Sequence, residues 1–137
     1  MVKITGEYQG ELHCNALHLP SGNQLVTDAP KDNQGRGEAF SPTDLVATAL
    51  ATCIVTTMAI VARRNGFELP SVKFEVTKEM STDAPRRIAR LATQLWMPIP
   101  ESHPQAAALA AIATNCPVHH SLDASVQRPV TIHWAQS

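Results

Sequence analysis

Two cysteines carry most of the chemistry open to this chain. Cys53 lies mid-way along an apolar stretch, and Cys116 opens the segment Cys116-Pro117-Val118-His119-His120. One thiol inside an apolar helix and another at a helix start suggest a redox pair. Each also has a plainer reading. A free cysteine is a common buried small hydrophobe, and a mid-helix position gains nothing from the helix dipole. An active Cys53 would therefore need a cation from elsewhere to lower its pKa from about 8.5. Arg36 and His13 are the candidates, since its neighbours Ala49, Leu50, Thr56 and Thr57 carry no charge. Cys116 precedes Pro117 and can cap a short helix, whose free N–H groups favour a thiolate. On electrostatic grounds alone it is the better nucleophile.

Other constellations are poorer. Cys116 and His119 have Cys-x2-His spacing, but the second ligand pair of a structural zinc site is missing, so no metal is expected. No phosphate-cradling glycine motif and no Gly-x-Ser-x-Gly elbow occurs, and no cofactor is expected. Cys14 reads as strand packing, Asp44 as a capping acid and Glu38 as a solvated loop charge.

The elements that position these residues follow from periodicity. Alternation predicts strands over 2–8 and 11–19, with Leu12, Cys14 and Ala16 on one face, and a short third strand over 24–27. Residues 28–40 are polar and glycine-bearing, hence a loop. Ser41, Pro42 and Asp44 make a helix start. That helix should run to Arg63-Arg64 and end at Asn65-Gly66, roughly 33 Å on. Strands are predicted over 71–79, with Val72, Phe74 and Val76 aligned, and over 88–97, broken by Pro98 and Pro100. An alanine-rich helix over 104–114, a helical turn over 116–122 and a strand carrying Val130, Ile132 and Trp134 complete the chain. The order is β-β-β-α-β-β-α-β, an α+β pattern without the alternation of a parallel sheet, in a single domain over 1–137.

Composition narrows the class. The chain has 137 residues, 44% of them hydrophobic, and a net charge of -1. That balance argues against nucleic acid or an anionic membrane as main partner. The N-terminus lacks the apolar core of a signal peptide, and three cysteines without one fit a reducing cytoplasm. Leu45 to Ala62 carries no charge but is slightly short for a membrane span. It reads as a helix apolar on all sides, which one short chain cannot cover, so a partner subunit is expected.

Together these segments resemble the OsmC/Ohr family of thiol-dependent hydroperoxide reductases. The carrying motifs are Ser41-Pro42-Thr43-Asp44-Leu45, the alanine-rich helix leading to Cys53, and Cys116-Pro117-Val118. The stretch from Asp28 to Pro42 is more similar to the general OsmC-like branch. The resemblance implies an OsmC-like fold and an intertwined homodimer with sites at the subunit interface. It implies that Cys53 is the peroxidatic thiol and Cys116 the resolving one. Cys53 would reduce an organic hydroperoxide and become a sulfenic acid, which Cys116 would convert to a disulfide. A dithiol, lipoyl-type in the family's peroxidases, would restore both thiols. An apolar wall of Leu45, Leu50, Ile54, Thr57 and Met58 would favour organic substrates. Family peroxidases hold the thiolate with an arginine set by a glutamate. The early-strand arginine falls near His13 here, with Arg36 as the loop alternative. The carboxylate choices are Asp44 and Glu38. The absence of a direct match to that pair motivates a rival reading, a binding protein that holds a small apolar ligand near Cys53.

Overall fold

The computed structural model describes all 137 residues, Met1–Ser137. The chain divides into two compact units, 1–46 and 47–137. The first holds an antiparallel sheet of β1 (Ile4–Gly10), β2 (His13–His18) and β3 (Asn23–Asp28) in the order β1-β2-β3. The predicted second strand loses its first two residues. Glu11 and Leu12 sit at φ 55° and 59° and form the turn between the paired Gly10 and His13. Positive φ at both central positions is the type I′ hairpin turn, whose twist matches that of the strands, so Leu12 leaves the strand face and stands 45% exposed.

Residues 28–40 form an ordered loop. A 3-10 turn, Lys31–Asn33, folds it back on itself, and the N–H groups of Gly35 and Gly37 return to the carbonyls of Pro30 and Ala29. Gly35 lies so close to the Ala29 carbonyl that an added Cβ would overlap it. Glycine is required there by contact.

The long helix α1, Pro42–Arg64, starts as its residues predict. Ser41 N–H donates to Asp44 Oδ2 at 2.9 Å, and Asp44 N–H donates to Ser41 Oγ at 3.0 Å, a reciprocal capping box. Gly66, at φ 80°, ends the helix and lets Phe67 N–H return to the Ala62 carbonyl. By length and composition this helix is apolar enough to cross a membrane. It is nevertheless one-sided within the chain. Ala47, Leu50, Ala51, Ile54, Met58 and Ala62 are buried at helical spacing, whereas Thr52, Thr56 and Ile60 are exposed.

The second unit carries a mixed sheet of β4 (Lys73–Met80), β5 (Ile88–Pro100) and β6 (Val130–Ala135) in the order β4-β5-β6. Leu91, Thr93, Leu95, Met97 and Ile99 form the buried face of β5, in line with the alternation. Two expectations change. The strand continues through Pro98 and Pro100, because β4 pairs with β5 only as far as Trp96. Beyond that point no β4 carbonyl waits for the missing N–H. Second, β5 and β6 pair in parallel. The segment between them, with α2 (Ala106–Ile112) and α3 (Pro117–Ser121), is the crossover that a parallel pair requires. Phe74, on β4, is exposed at 39%.

The apolar core lies in the second unit, with Leu50, Ile54, Met58, Leu91, Leu95 and Leu109 at 0–1% exposure. Ile54→Ala should lower the unfolding free energy of the reduced protein by about 2–5 kcal/mol, through lost burial and the cavity left behind. Urea denaturation measures it.

Candidate thiol site

Helix α1 delivers Cys53 to the middle of its length, half-buried, with Sγ 3.9 Å from Thr57 Oγ1 one turn on. The crossover delivers Cys116, which is fully buried. Cys116 caps α3, accepting the His119 N–H at 3.4 Å with its sulfur. The Cys53 side chain is near enough to act on the Cys116 thiol. The fold thus brings together two thiols that the sequence holds 63 positions apart.

Their environments reverse the electrostatic ranking read from the sequence. Burial pushes the Cys116 thiol up, and the Cys53 sulfur beside it adds to that effect. The N–H groups of His119 and Val118 oppose it without cancelling it. The cap does favour an anion, but a sulfur with no access to water pays more in lost solvation than two N–H groups return. Cys116 is therefore disfavoured as a thiolate by its environment, and Cys53 is the thiol with solvent access. Beside them, His119 is held below the ordinary histidine range by burial and then by the charges of Arg128 and His120. An Arg128 Nη1 donates to the His119 carbonyl, and its Nε donates to the Val126 carbonyl at 3.1 Å.

In the first unit a second cluster forms around Asp28, a residue that sequence reasoning left as the start of a loop. Asp28 is 2% exposed. Its Oδ1 lies 2.6 Å from His13 Nδ1 and 3.9 Å from Arg36 Nη2, and its Oδ2 accepts the Glu38 N–H at 3.1 Å. The His13 hydrogen bond, above all, holds this carboxylate below its usual range, against the opposing effect of burial. Asp28 sits opposite His13 in the β2–β3 register, so the available signal was a cross-strand pair. Both candidate cations thus share Asp28, which neither expected carboxylate does. Asp44 is engaged in the capping box. Glu38 contributes its backbone N–H to Asp28, and its side chain is exposed.

A family model described as OsmC-like protein matches residues 35–130. The chain belongs to the OsmC-like family. A crystal structure of a candidate osmotic stress induced and detoxification response protein from Psychrobacter arcticus is similar at 41% identity and a TM-score of 0.86. It covers 96% of this chain and 94% of its own. A structure of an organic hydroperoxide resistance protein OsmC from Legionella pneumophila shares the fold at 15% identity and a TM-score of 0.78, covering 97% and 96%. The protein YmaD of Bacillus subtilis is 33% identical over 58 residues, 42% of this chain and only 39% of that protein's length.

Within this OsmC-like chain the expected apolar wall also needs correction. Leu50, Ile54 and Met58 are sealed in the core at 1%, 0% and 0% exposure, because they share the buried stripe of α1. Of the expected wall, only Leu45 and Thr57 keep partial exposure.

Proposed function

We propose that this OsmC-like protein is a cytoplasmic, homodimeric, thiol-dependent peroxidase that reduces organic hydroperoxides. The observation that carries the reading is the juxtaposition of Cys53 and Cys116, one half-buried and one sealed. The accessible Cys53 thiolate attacks the distal peroxide oxygen. The O–O bond breaks, the alcohol leaves, and Cys53 becomes a sulfenic acid. The Cys116 sulfur then bonds to Cys53 and water departs. A dithiol, lipoyl-type by family resemblance, reduces the disulfide by exchange. His13 and Arg36, the side chains the family resemblance offers, are both organised by Asp28. The exposed face of α1 at Thr52, Thr56 and Ile60 supports the second subunit.

A rival reading keeps the fold for binding a small apolar ligand. The observation in its favour is that the groups placed beside Cys53, the Thr57 hydroxyl and the Cys116 thiol, include no cation. Stopped-flow oxidation of the reduced protein by cumene hydroperoxide, with intact-mass detection, separates the two. Rapid loss of two hydrogens' mass is the expected result. Oxidation no faster than that of a free thiol would favour ligand binding instead.

A further inference from the structure

A threonine inside a helix has an ordinary use for its hydroxyl, which is to donate to the carbonyl one turn back. Thr52 of α1 does this, donating to the Thr48 carbonyl at 2.7 Å. Thr57, in the same helix, does not. The carbonyl one turn back from it belongs to Cys53, and the partner of the hydroxyl is instead the Cys53 sulfur, 3.9 Å from Oγ1. Helical side chains tilt towards the N-terminus, so a residue four positions on lies over the earlier one. Thiol and hydroxyl therefore share one half-buried strip of α1. Ile54 and Met58, the residues next to each of them, are sealed at 0% exposure.

The direction of this hydrogen bond depends on the state of the sulfur. While Cys53 is a thiol, either group can donate. Once Cys53 is ionised its sulfur has no hydrogen, and only the hydroxyl can donate. A bond to an ionised acceptor is shorter and roughly twice as strong as a neutral one, so the contact tightens when charge appears on the sulfur. A donor to the charged form favours that form. The titratable group that the crossover places beside Cys53 is the Cys116 thiol, and an S–H is a weak donor. The hydroxyl of Thr57 is the stronger donor of the two.

We propose that Thr57 is a catalytic hydrogen-bond donor to Cys53, favouring the thiolate that attacks. The inference rests on the thiol chemistry proposed above and adds a residue to that site. In the peroxide step a sulfur electron pair bonds to the distal oxygen and the O–O bond breaks. The alkoxide takes a proton from water and leaves as the alcohol. Sulfur is oxidised by two electrons and the peroxide reduced by two. The hydroxyl keeps its own proton and is unchanged at the end of the step.

Iodoacetamide tests the donor without any peroxide, because alkylation uses the same thiolate. The reduced full chain is alkylated over a series from about pH 6 to pH 10, either side of the free-thiol value near 8.5. Mass analysis of the Cys53 peptide separates its rate from those of Cys14 and Cys116. Thr57→Val removes the hydroxyl and keeps the shape. Thr57→Ala removes it with the residue best suited to a helix, and Thr57→Ser returns it. The expected result at neutral pH is alkylation of Cys53 about tenfold slower in the Val and Ala variants, the lower end of what a hydrogen bond to a charged group contributes. The Ser variant should regain the wild-type rate. The deficit should vanish at the alkaline end, where the sulfur is ionised with or without a donor. Equal rates at neutral pH would overturn the assignment. So would a deficit that persists undiminished in alkali, the mark of a merely structural role, or one that Thr57→Ser does not repair. The expected alkylation pattern without sulfenate formation by cumene hydroperoxide would remove the peroxidase reading and leave Thr57 as the donor to the Cys53 thiolate.

Discussion

Cys53→Ser should abolish hydroperoxide turnover, on the order of 10³-fold or more, the scale on which loss of a nucleophile acts. Cys116→Ser should consume one equivalent of peroxide and then stop, with a dimedone-reactive sulfenic acid on Cys53. The asymmetry follows from burial. Cys116 is sealed and its thiol is pushed up by its surroundings, whereas Cys53 keeps partial access to solvent. A peroxide cannot reach the first sulfur without the fold opening, but it can reach the second. Peptide mapping of the dimedone adduct decides the order of events. Full turnover in Cys53→Ser, or an adduct confined to Cys116 in the wild-type protein, would invert the roles.

Asp28→Asn is the second change expected to have a large effect. Three groups converge on this one buried carboxylate: the His13 ring, the Arg36 guanidinium and the Glu38 N–H. An amide matches the shape of the carboxylate but not its charge, so the His13 ring and the Arg36 guanidinium lose their anion and loop 28–40 loses its tether to β2. Stability should respond in a defined direction. The folded-state pKa of Asp28 is depressed, so its contribution is fully present above the unfolded value of about 3.9 and is lost as pH falls through the lower folded value. The variant should melt below the wild type at neutral pH, and the gap should close in acid. Thermal melts from pH 2 to 7 test this, and parallel melting curves would rule out the proposed role of Asp28.

The contrast between Asp44 and Asp28 shows what the sequence could convey. Asp44 acts on Ser41, three residues away, and such local partners are visible as spacing. The long helix, its stop at Gly66 and the alternation of β5 were legible for the same reason. Asp28 acts on His13, fifteen residues away across a strand pair, and only the register of the sheet brings them together. The prolines of β5 misled because a strand tolerates them where its neighbour has ended, which depends on the length of β4. The parallel β5–β6 pairing was hidden because nothing local reveals which strand a crossover returns to. The ranking of the thiols failed similarly, since helix capping is local and the burial that overrides it is not.

The route of the chain between the two thiols has a further consequence. Cys53 lies on α1 and Cys116 on the crossover, so a bond between them would close a ring containing the end of α1, β4, β5 and α2. A ring of about 63 residues removes unfolded-state freedom worth on the order of 4 kcal/mol by loop-closure entropy. Most of the mixed sheet would then be laced shut each time a peroxide is consumed and released by each reduction. The reductant would work against a conformational load as well as a sulfur–sulfur bond, and the oxidation state of the protein would be recorded in its resistance to unfolding.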